Sequence, residues 1–210
     1  MKNAIVLTDG LLMTSDAKTA HGLIRGTERF NIIGLVDGEA NAGKDAGVLL
    51  DGKHRDIPVF ATMEIAIEQL EKVDFLIIGV ATVGGRLPKN MLALIYDAVK
   101  KGISVVNGLH EYLNDKADLV AIAASTGAQL IDVRKPKSRA DLHFWDGAIF
   151  NVTAPIVAVI GMDCAMGKRT TARMLKQACI SEGIKAEMIY TGQTGWLQGG
   201  KYGFIFDSTL

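Results

Sequence analysis

The first two-thirds of the chain alternate short apolar runs with segments in which apolar residues recur every three or four positions. Short apolar runs predict buried strands, and the helical spacing predicts amphipathic helices. We therefore expect strands at 4–8, 32–36, 58–60, 75–80, 104–106 and 130–133. This alternation is typical of an α/β fold in which helices cover both faces of a parallel sheet. The sequence thus predicts a Rossmann-like parallel-sheet domain over residues 1–134.

Helices are expected in the gaps between these strands, and three of them are well marked. The segment 89–101 has an apolar stripe, two lysines at its end and Gly102 directly after it, which together favour a helix that stops there. A second helix is predicted to follow Thr62. A third is predicted at 116–125, before Gly127.

The regular pattern lapses at 135–154, where a Lys-Pro-Lys-Ser-Arg sequence precedes a mixed polar and aromatic stretch. Such a composition is typical of a linker, and we place a domain boundary there. The second unit, 155–210, begins with an apolar run at 155–160 that we expect to form a strand. Further apolar runs follow at 186–190 and 204–207.

The most informative motif follows the run at 155–160 directly: a glycine-bounded loop, then a lysine, then a predicted helix. Gly161 and Gly167 let the backbone curl so that N–H groups and the helix N-terminus face phosphate oxygens, and Lys168 adds a mobile positive charge. A plain strand-to-helix turn with a solvated lysine is the alternative. The residues predicted to bind phosphate are Gly161, Asp163, Cys164, Ala165, Met166, Gly167, Lys168, Arg169, Thr170 and Thr171.

This loop differs from the common phosphate-binding loop of NTPases. Five residues rather than four separate its two glycines, and Arg169 stands where a Ser or Thr normally gives its hydroxyl to magnesium. Either Thr170 or Thr171 takes over that task, or the loop binds phosphate without a tightly held metal. We therefore expect a P-loop NTPase-like α/β domain, incomplete at its carboxyl terminus, that binds phosphate but does not perform standard ATP hydrolysis.

The amino-terminal unit lacks the G-x-G-x-x-G pattern after its first strand, so a nicotinamide dinucleotide is not expected. Asp37 is expected to cap a turn with Gly38 rather than to bind a ribose. Lys18, His21 and Arg25 share one face of the first predicted helix and are candidates for binding substrate carboxylates. A solvated basic helix surface is the alternative interpretation.

The composition of the chain limits the kinds of binding partner and the cellular location that we expect. The chain carries 23 basic and 23 acidic residues, a formal net charge of zero that disfavours a nucleic-acid surface. Only two cysteines are present, and neither a signal peptide nor a membrane-spanning run is apparent, so we expect a cytoplasmic protein with no membrane partner. A homo-oligomer is expected because a small second unit leaves apolar surface to cover.

Three separated motifs together resemble one two-domain family. They are the segments 18–25 and 42–47, and the loop 161–171 with 191–195. The family is catalogued as a domain of unknown function of the DUF1611 type, its members continue well beyond residue 210, and its assigned members are D-glutamate N-acetyltransferases. The resemblance implies acetyl transfer from acetyl-coenzyme A to the amine of D-glutamate or a similar acidic amino acid, with the coenzyme phosphates held by the loop.

Acetyl transfer to an amine requires a base to deprotonate the amine, and Asp163, His110 and His143 are candidates. Each histidine has a structural or surface role as its alternative interpretation. Cys164 is a candidate acyl-accepting thiolate, with a small loop residue of no catalytic task as the alternative. The sequence does not choose among them.

Two other functions stay open. The loop is similar to that of dethiobiotin synthetase, in which a Thr rather than Arg169 follows the lysine, and this implies an ATP- and magnesium-dependent ligase or kinase. In that case Lys168 contacts the γ-phosphate, and Thr170 and Asp207 are the candidate metal ligands. The other alternative is a nucleotide-responsive binding module without turnover.

Overall fold

The structure is a computed structural model that describes residues 1–136, 138–163 and 166–206. The strands of its main sheet are β1 Lys2–Leu7, β2 Phe30–Val36, β3 Val59–Phe60, β4 Phe75–Ile78, β5 Ser104–Asn107 and β6 Leu130–Asp132. All neighbours pair in parallel, in the order β3-β2-β1-β4-β5-β6. This is the strand order of the doubly wound Rossmann-like fold, so the predicted fold class is confirmed.

The helices between the strands are α1 Lys18–Ile24, α2 Ala46–Asp51, α3 Met63–Gln69, α4 Lys89–Lys100 and α5 Ala117–Thr126. The three helices that the sequence marked are α3, α4 and α5, and they form where expected. Thr62 begins α3 by accepting a hydrogen bond from the Ile65 N–H, and Gly127 ends α5 in the left-handed conformation. No helix within the described residues is long and apolar enough to cross a membrane.

The core lies on both faces of the sheet, because successive residues of a strand point to opposite sides. On one face Ile5 and Leu7 of β1 pack in a cluster with buried side chains of α3, α4 and α5. On the other face Ala4 and Val6 pack with buried side chains of α1. The central strand is buried on both sides, which explains why its apolar residues run without a polar interruption.

The rest of the chain contains α6 Lys168–Ser181, α7 Gln193–Leu197 and a parallel pair of short strands, β7 Ile189–Tyr190 and β8 Tyr202–Gly203. The segment 135–154 holds short 3-10 turns at Arg139–Asp141 and Ala148–Asn151. The domain boundary placed there stays a prediction.

The strand expected at 155–160 is wrong. These residues belong to no strand, and Ile156, Val157 and Ile160 are largely exposed. A strand needs a neighbour that receives its backbone hydrogen bonds, and no segment within the described residues pairs with this one. The apolar run at 186–190 yields the short β7, which pairs with β8, and the run at 204–206 is not a strand.

The segment around α7 is anchored on the Rossmann-like domain. The Gln198 Nε2 donates to the Gly22 carbonyl oxygen of α1 at 2.6 Å. Arg29 donates from Nε to the Trp196 carbonyl oxygen at 2.7 Å, and its guanidinium carbon lies 4.1 Å from the centre of the Trp196 ring. Hydrogen bonds and a cation–π contact therefore hold α7 against α1 and the start of β2.

Asp37 is buried at the end of β2 and organises the loop after β1. Its carboxylate accepts hydrogen bonds from the Thr8 hydroxyl at 2.6 Å, the Leu12 N–H at 2.9 Å and the Asn41 side-chain amide at 2.7 Å. It therefore ties two neighbouring strand ends together, a different task from the turn with Gly38 that the sequence suggested.

Replacing Asp37 with Ala should lower the free energy of unfolding by about 3 kcal/mol, because the buried Leu12 N–H loses its acceptor. The measurement is urea unfolding followed by circular dichroism. Glu71→Ala removes an exposed carboxylate and should change stability by less than about 0.5 kcal/mol. If the two variants unfold at the same urea concentration, Asp37 does not hold this loop.

Candidate functional site

The glycine-bounded loop leads directly into α6. Gly167 precedes the helix with a φ of 88°, in the left-handed region that favours glycine. The Lys168 ammonium folds back over the loop and donates to the Asp163 carbonyl oxygen. The Lys168 side chain also lies 3.3 Å from where a Cβ on Gly161 would be, so a larger residue at Gly161 would crowd the lysine. Glycine at both ends thus allows a lysine-covered loop at a helix N-terminus, a geometry that suits phosphate.

The other predicted loop residues are distributed as follows. Asp163 and Met166 are exposed, and the Thr171 N–H donates to the Gly167 carbonyl oxygen in the first turn of α6 at 2.9 Å. The predictions for Cys164, Ala165 and Asp207 lie outside the described residues.

Arg169 and Thr170, which follow the loop lysine, line a cavity of about 260 Å³ at the junction of α6 with α1 and α2. Among the described residues that line it, Asp51 is the only carboxylate. The lining cations are Arg25, Lys53, Arg55, Arg169 and Arg173. We call this space the arginine cavity.

Arg169 is the most perturbed of these cations. Burial, together with the nearby charges of Arg173 and Arg25, lowers the pKa of Arg169 to about 10. Its Nε–H is buried and has no hydrogen-bond partner within the part of the chain that the structure describes. Its Nη2 lies 2.8 Å from where a Cβ on Gly22 would be, so the guanidinium packs directly on the backbone of α1. A desolvated guanidinium among like charges is complementary to an anion.

The remaining cations are only partly neutralised. Arg55 forms a two-pronged pair with Asp51, with N···O distances of 2.7 and 2.9 Å, and this hydrogen-bonded pair holds the pKa of Asp51 below its usual value. Arg25 lies 3.9 Å from the same carboxylate. Arg173 donates to the Gly26 carbonyl oxygen at 2.9 Å, and its Nη2 lies 3.9 Å from a carboxylate oxygen of Glu28, which does not line the cavity. Five cations therefore face one lining carboxylate, and the cavity keeps a surplus of positive charge.

The three residues in and directly after α1 that were predicted to bind carboxylates do not share one site. Arg25 lines the arginine cavity, but the His21 Nε2 lies 2.6 Å from the Leu12 carbonyl oxygen, and Lys18 is exposed at the start of the helix. Sequence analysis missed Arg55 and Arg173 altogether. The sequence did contain a signal for Arg173, which lies four residues after Arg169 on α6. This spacing is unfavourable for like charges unless an anion or a partner lies between them.

The candidate bases lie in different parts of the chain. His110 follows β5, with its ring 2.5 Å from where a Cβ on Gly85 would be. Asp163 is in the glycine-bounded loop, and His143 is exposed between the two short 3-10 turns.

Of the two candidate magnesium ligands, Thr170 and Asp207, only Thr170 lies within the described residues. Thr170, a candidate magnesium ligand, lines the arginine cavity. Within the described residues, no group of three or more His, Cys, Asp and Glu side chains is placed to hold a metal ion.

Comparison with solved structures supports the whole architecture. A crystal structure of a DUF1611 family protein from Anabaena variabilis superposes with a TM-score of 0.86 at 30% identity, covering 99% of this chain and 58% of that one.

Two curated relatives are similar to this chain over part of its length, and both are named D-glutamate N-acetyltransferase. One, from Tritonibacter scottomollicae, is 35% identical over 58% of this chain and 35% of its own length. The other, from a Pseudoalteromonas species, is 31% identical over 59% of this chain and 36% of its own length. The match thus spans about a third of each curated relative.

Two family models match successive parts of the chain. Residues 39–136 match the Rossmann-like domain described as DUF1611_N, and residues 143–210 match the P-loop domain described as DUF1611_C. Together with the superposition, these matches show that the chain belongs to the DUF1611 family, which joins a Rossmann-like domain to a P-loop domain.

Proposed function

We propose that the protein acts as an N-acetyltransferase that moves an acetyl group from acetyl-coenzyme A to the amine of an acidic amino acid, D-glutamate being the expected acceptor. The names of its two curated relatives support this reaction. The observation that carries the proposal is the glycine-bounded loop, in which Lys168 covers the backbone while Arg169 points into the arginine cavity.

This arrangement favours binding of phosphate over its cleavage. In NTPases the residue after the loop lysine gives a hydroxyl to magnesium, which the transfer of a phosphoryl group requires. Here that residue is Arg169, whose guanidinium packs on Gly22 instead. This loop keeps the backbone donors and the lysine but has an arginine in place of the hydroxyl. It therefore suits a substrate whose phosphates are bound and not transferred.

The residues suited to the coenzyme phosphates are Gly161, Gly167, Lys168 and the backbone of the first turn of α6. When bound, acetyl-coenzyme A supplies the acetyl group as a thioester. The Lys168 ammonium would then exchange the Asp163 carbonyl oxygen for a phosphate oxygen, at little cost because it already lies over the loop.

The protein's remaining tasks are to hold the acceptor close to the donor and to remove a proton from the amine. Asp163, in the loop itself, and His110, after β5, are the candidate bases. Direct attack by the amine needs no covalent enzyme intermediate.

Lys168→Ala should weaken coenzyme A binding by about tenfold to hundredfold, because it removes a charge-assisted contact to phosphate. Isothermal titration calorimetry with and without magnesium measures this effect, and magnesium should make no difference. Lys185→Ala, an exposed lysine beyond α6, is the matched control and should bind as the unchanged protein does. Equal affinities for the two variants would exclude the loop as the coenzyme site.

In an assay that contains a metal chelator and no ATP, the protein should release the thiol of coenzyme A from acetyl-coenzyme A only when D-glutamate is present. A colorimetric thiol assay measures this, with L-glutamate as the test of acceptor chirality. Magnesium-dependent formation of ADP in the presence of D-glutamate would instead show the ligase or kinase. Tight coenzyme binding without thiol release would favour the binding module.

A further inference from the structure

We propose that the arginine cavity is the binding site for the acidic amino acid, with Arg169 and Arg25 binding its carboxylates and Gln198 receiving its ammonium group. The identity of the ligand rests on the proposed function. The assignment of the cavity as an anion site does not, because it follows from charge and hydrogen bonding alone.

The first support is a buried hydrogen-bond donor of the cavity that has no acceptor among the described residues. Arg169 lines the cavity, and the Arg169 Nε–H is buried with no hydrogen-bond partner among the described residues. Burying a charged donor without a partner is costly, and its guanidinium is further crowded by Arg173 and Arg25. A ligand carboxylate entering the cavity would relieve both penalties.

The second support is a carboxylate that already lies in this cavity. Asp51 meets Arg55 in the two-pronged geometry that guanidinium and carboxylate groups favour, and it lies 3.9 Å from Arg25. One carboxylate of the chain thus neutralises one side of the cavity. The opposite side, formed by Arg169 and Arg173 of α6, has no lining carboxylate among the described residues, and Glu28, 3.9 Å from Arg173, lies outside the lining.

The third support separates an amino acid from a simple anion. Gln198 also lines the cavity, and its Nε2 donates to the carbonyl oxygens of Gly22 and Gly26 at 2.6 and 3.1 Å. These bonds fix the orientation of the amide, and its Oε1 is buried without a partner within the described residues. An acceptor beside a cluster of cations suits a ligand that brings an ammonium group along with its carboxylates.

The position of the cavity matches the needs of the reaction. Arg169 is the residue directly after Lys168, so one helix, α6, presents the coenzyme loop and the arginine cavity from successive positions. Holding two reactants on one rigid element is an efficient way to bring them together.

The test is calorimetric titration with D-glutamate, glutarate and inorganic phosphate, each with and without coenzyme A, in a buffer of low chloride. Arg169→Gln should weaken D-glutamate binding by about tenfold to hundredfold and leave coenzyme A binding unchanged. Arg86→Gln removes an exposed arginine outside the cavity and should bind D-glutamate normally. Glutarate, which lacks the amine, should bind more weakly than D-glutamate.

Thermal melting gives a second readout that a merely structural arginine would not show. Without ligand, Arg169→Gln should melt at the same temperature or higher, because it removes a buried, poorly compensated charge. With D-glutamate, only the unchanged protein and Arg86→Gln should gain stability. A lower melting temperature for ligand-free Arg169→Gln would show that Arg169 holds the interface rather than a ligand.

Other results would overturn the proposal. One is the absence of saturable D-glutamate binding, and another is equal affinity of Arg169→Gln and the unchanged protein for D-glutamate. A third is that phosphate binds more tightly than D-glutamate and that this phosphate binding is lost in Arg169→Gln. The last would assign the cavity to the coenzyme. Loss of D-glutamate binding in Arg169→Gln, without any acetyl transfer by the unchanged protein, would keep the cavity assignment and reject only the proposed reaction.

Discussion

Arg169 lies on the backbone of α1 at Gly22, at the point where α6 meets the Rossmann-like domain. The Nη2 of Arg169 and the methyl group of Thr194 would come within 2.8 and 2.7 Å of a Cβ on Gly22. Both α6 and α7 therefore depend on a residue without a side chain at this point of α1. The arginine cavity exists because the two parts of the chain meet here, with cations contributed from each side.

The charges around this contact oppose the fold more than they support it. A buried guanidinium among like charges costs free energy, which neighbouring backbone carbonyls and two carboxylates, Asp51 and Glu28, only partly offset. Arg55 is paired with Asp51, and Arg173 reaches the Gly26 carbonyl oxygen, but Arg169 keeps an unmatched donor within the described residues. Imbalances of this kind are typical of sites that a ligand completes, because an anion gains most where the protein has already excluded water.

The sequence predicted the elements whose causes are local. The helix at α4 was evident from its apolar stripe and its glycine stop, and α3 from the cap at Thr62, because these signals lie within a few residues of each other. The strand expected at 155–160 failed because apolar composition cannot create the neighbouring strand that pairing requires. The arginine cavity was missed because Arg25, Arg55 and Arg173 are far apart in sequence and no spacing links them.

The most unusual residue of the loop is explained by the same meeting of α6 and α1. In the common phosphate-binding loop the position after the lysine serves the metal, and a hydroxyl there is directed toward the phosphates. In this chain that position carries Arg169, which lines the arginine cavity instead of offering a hydroxyl to a metal. In the proposed function one turn of α6 contacts both anionic ligands, which suits a reaction in which the phosphates are held and a different group is transferred.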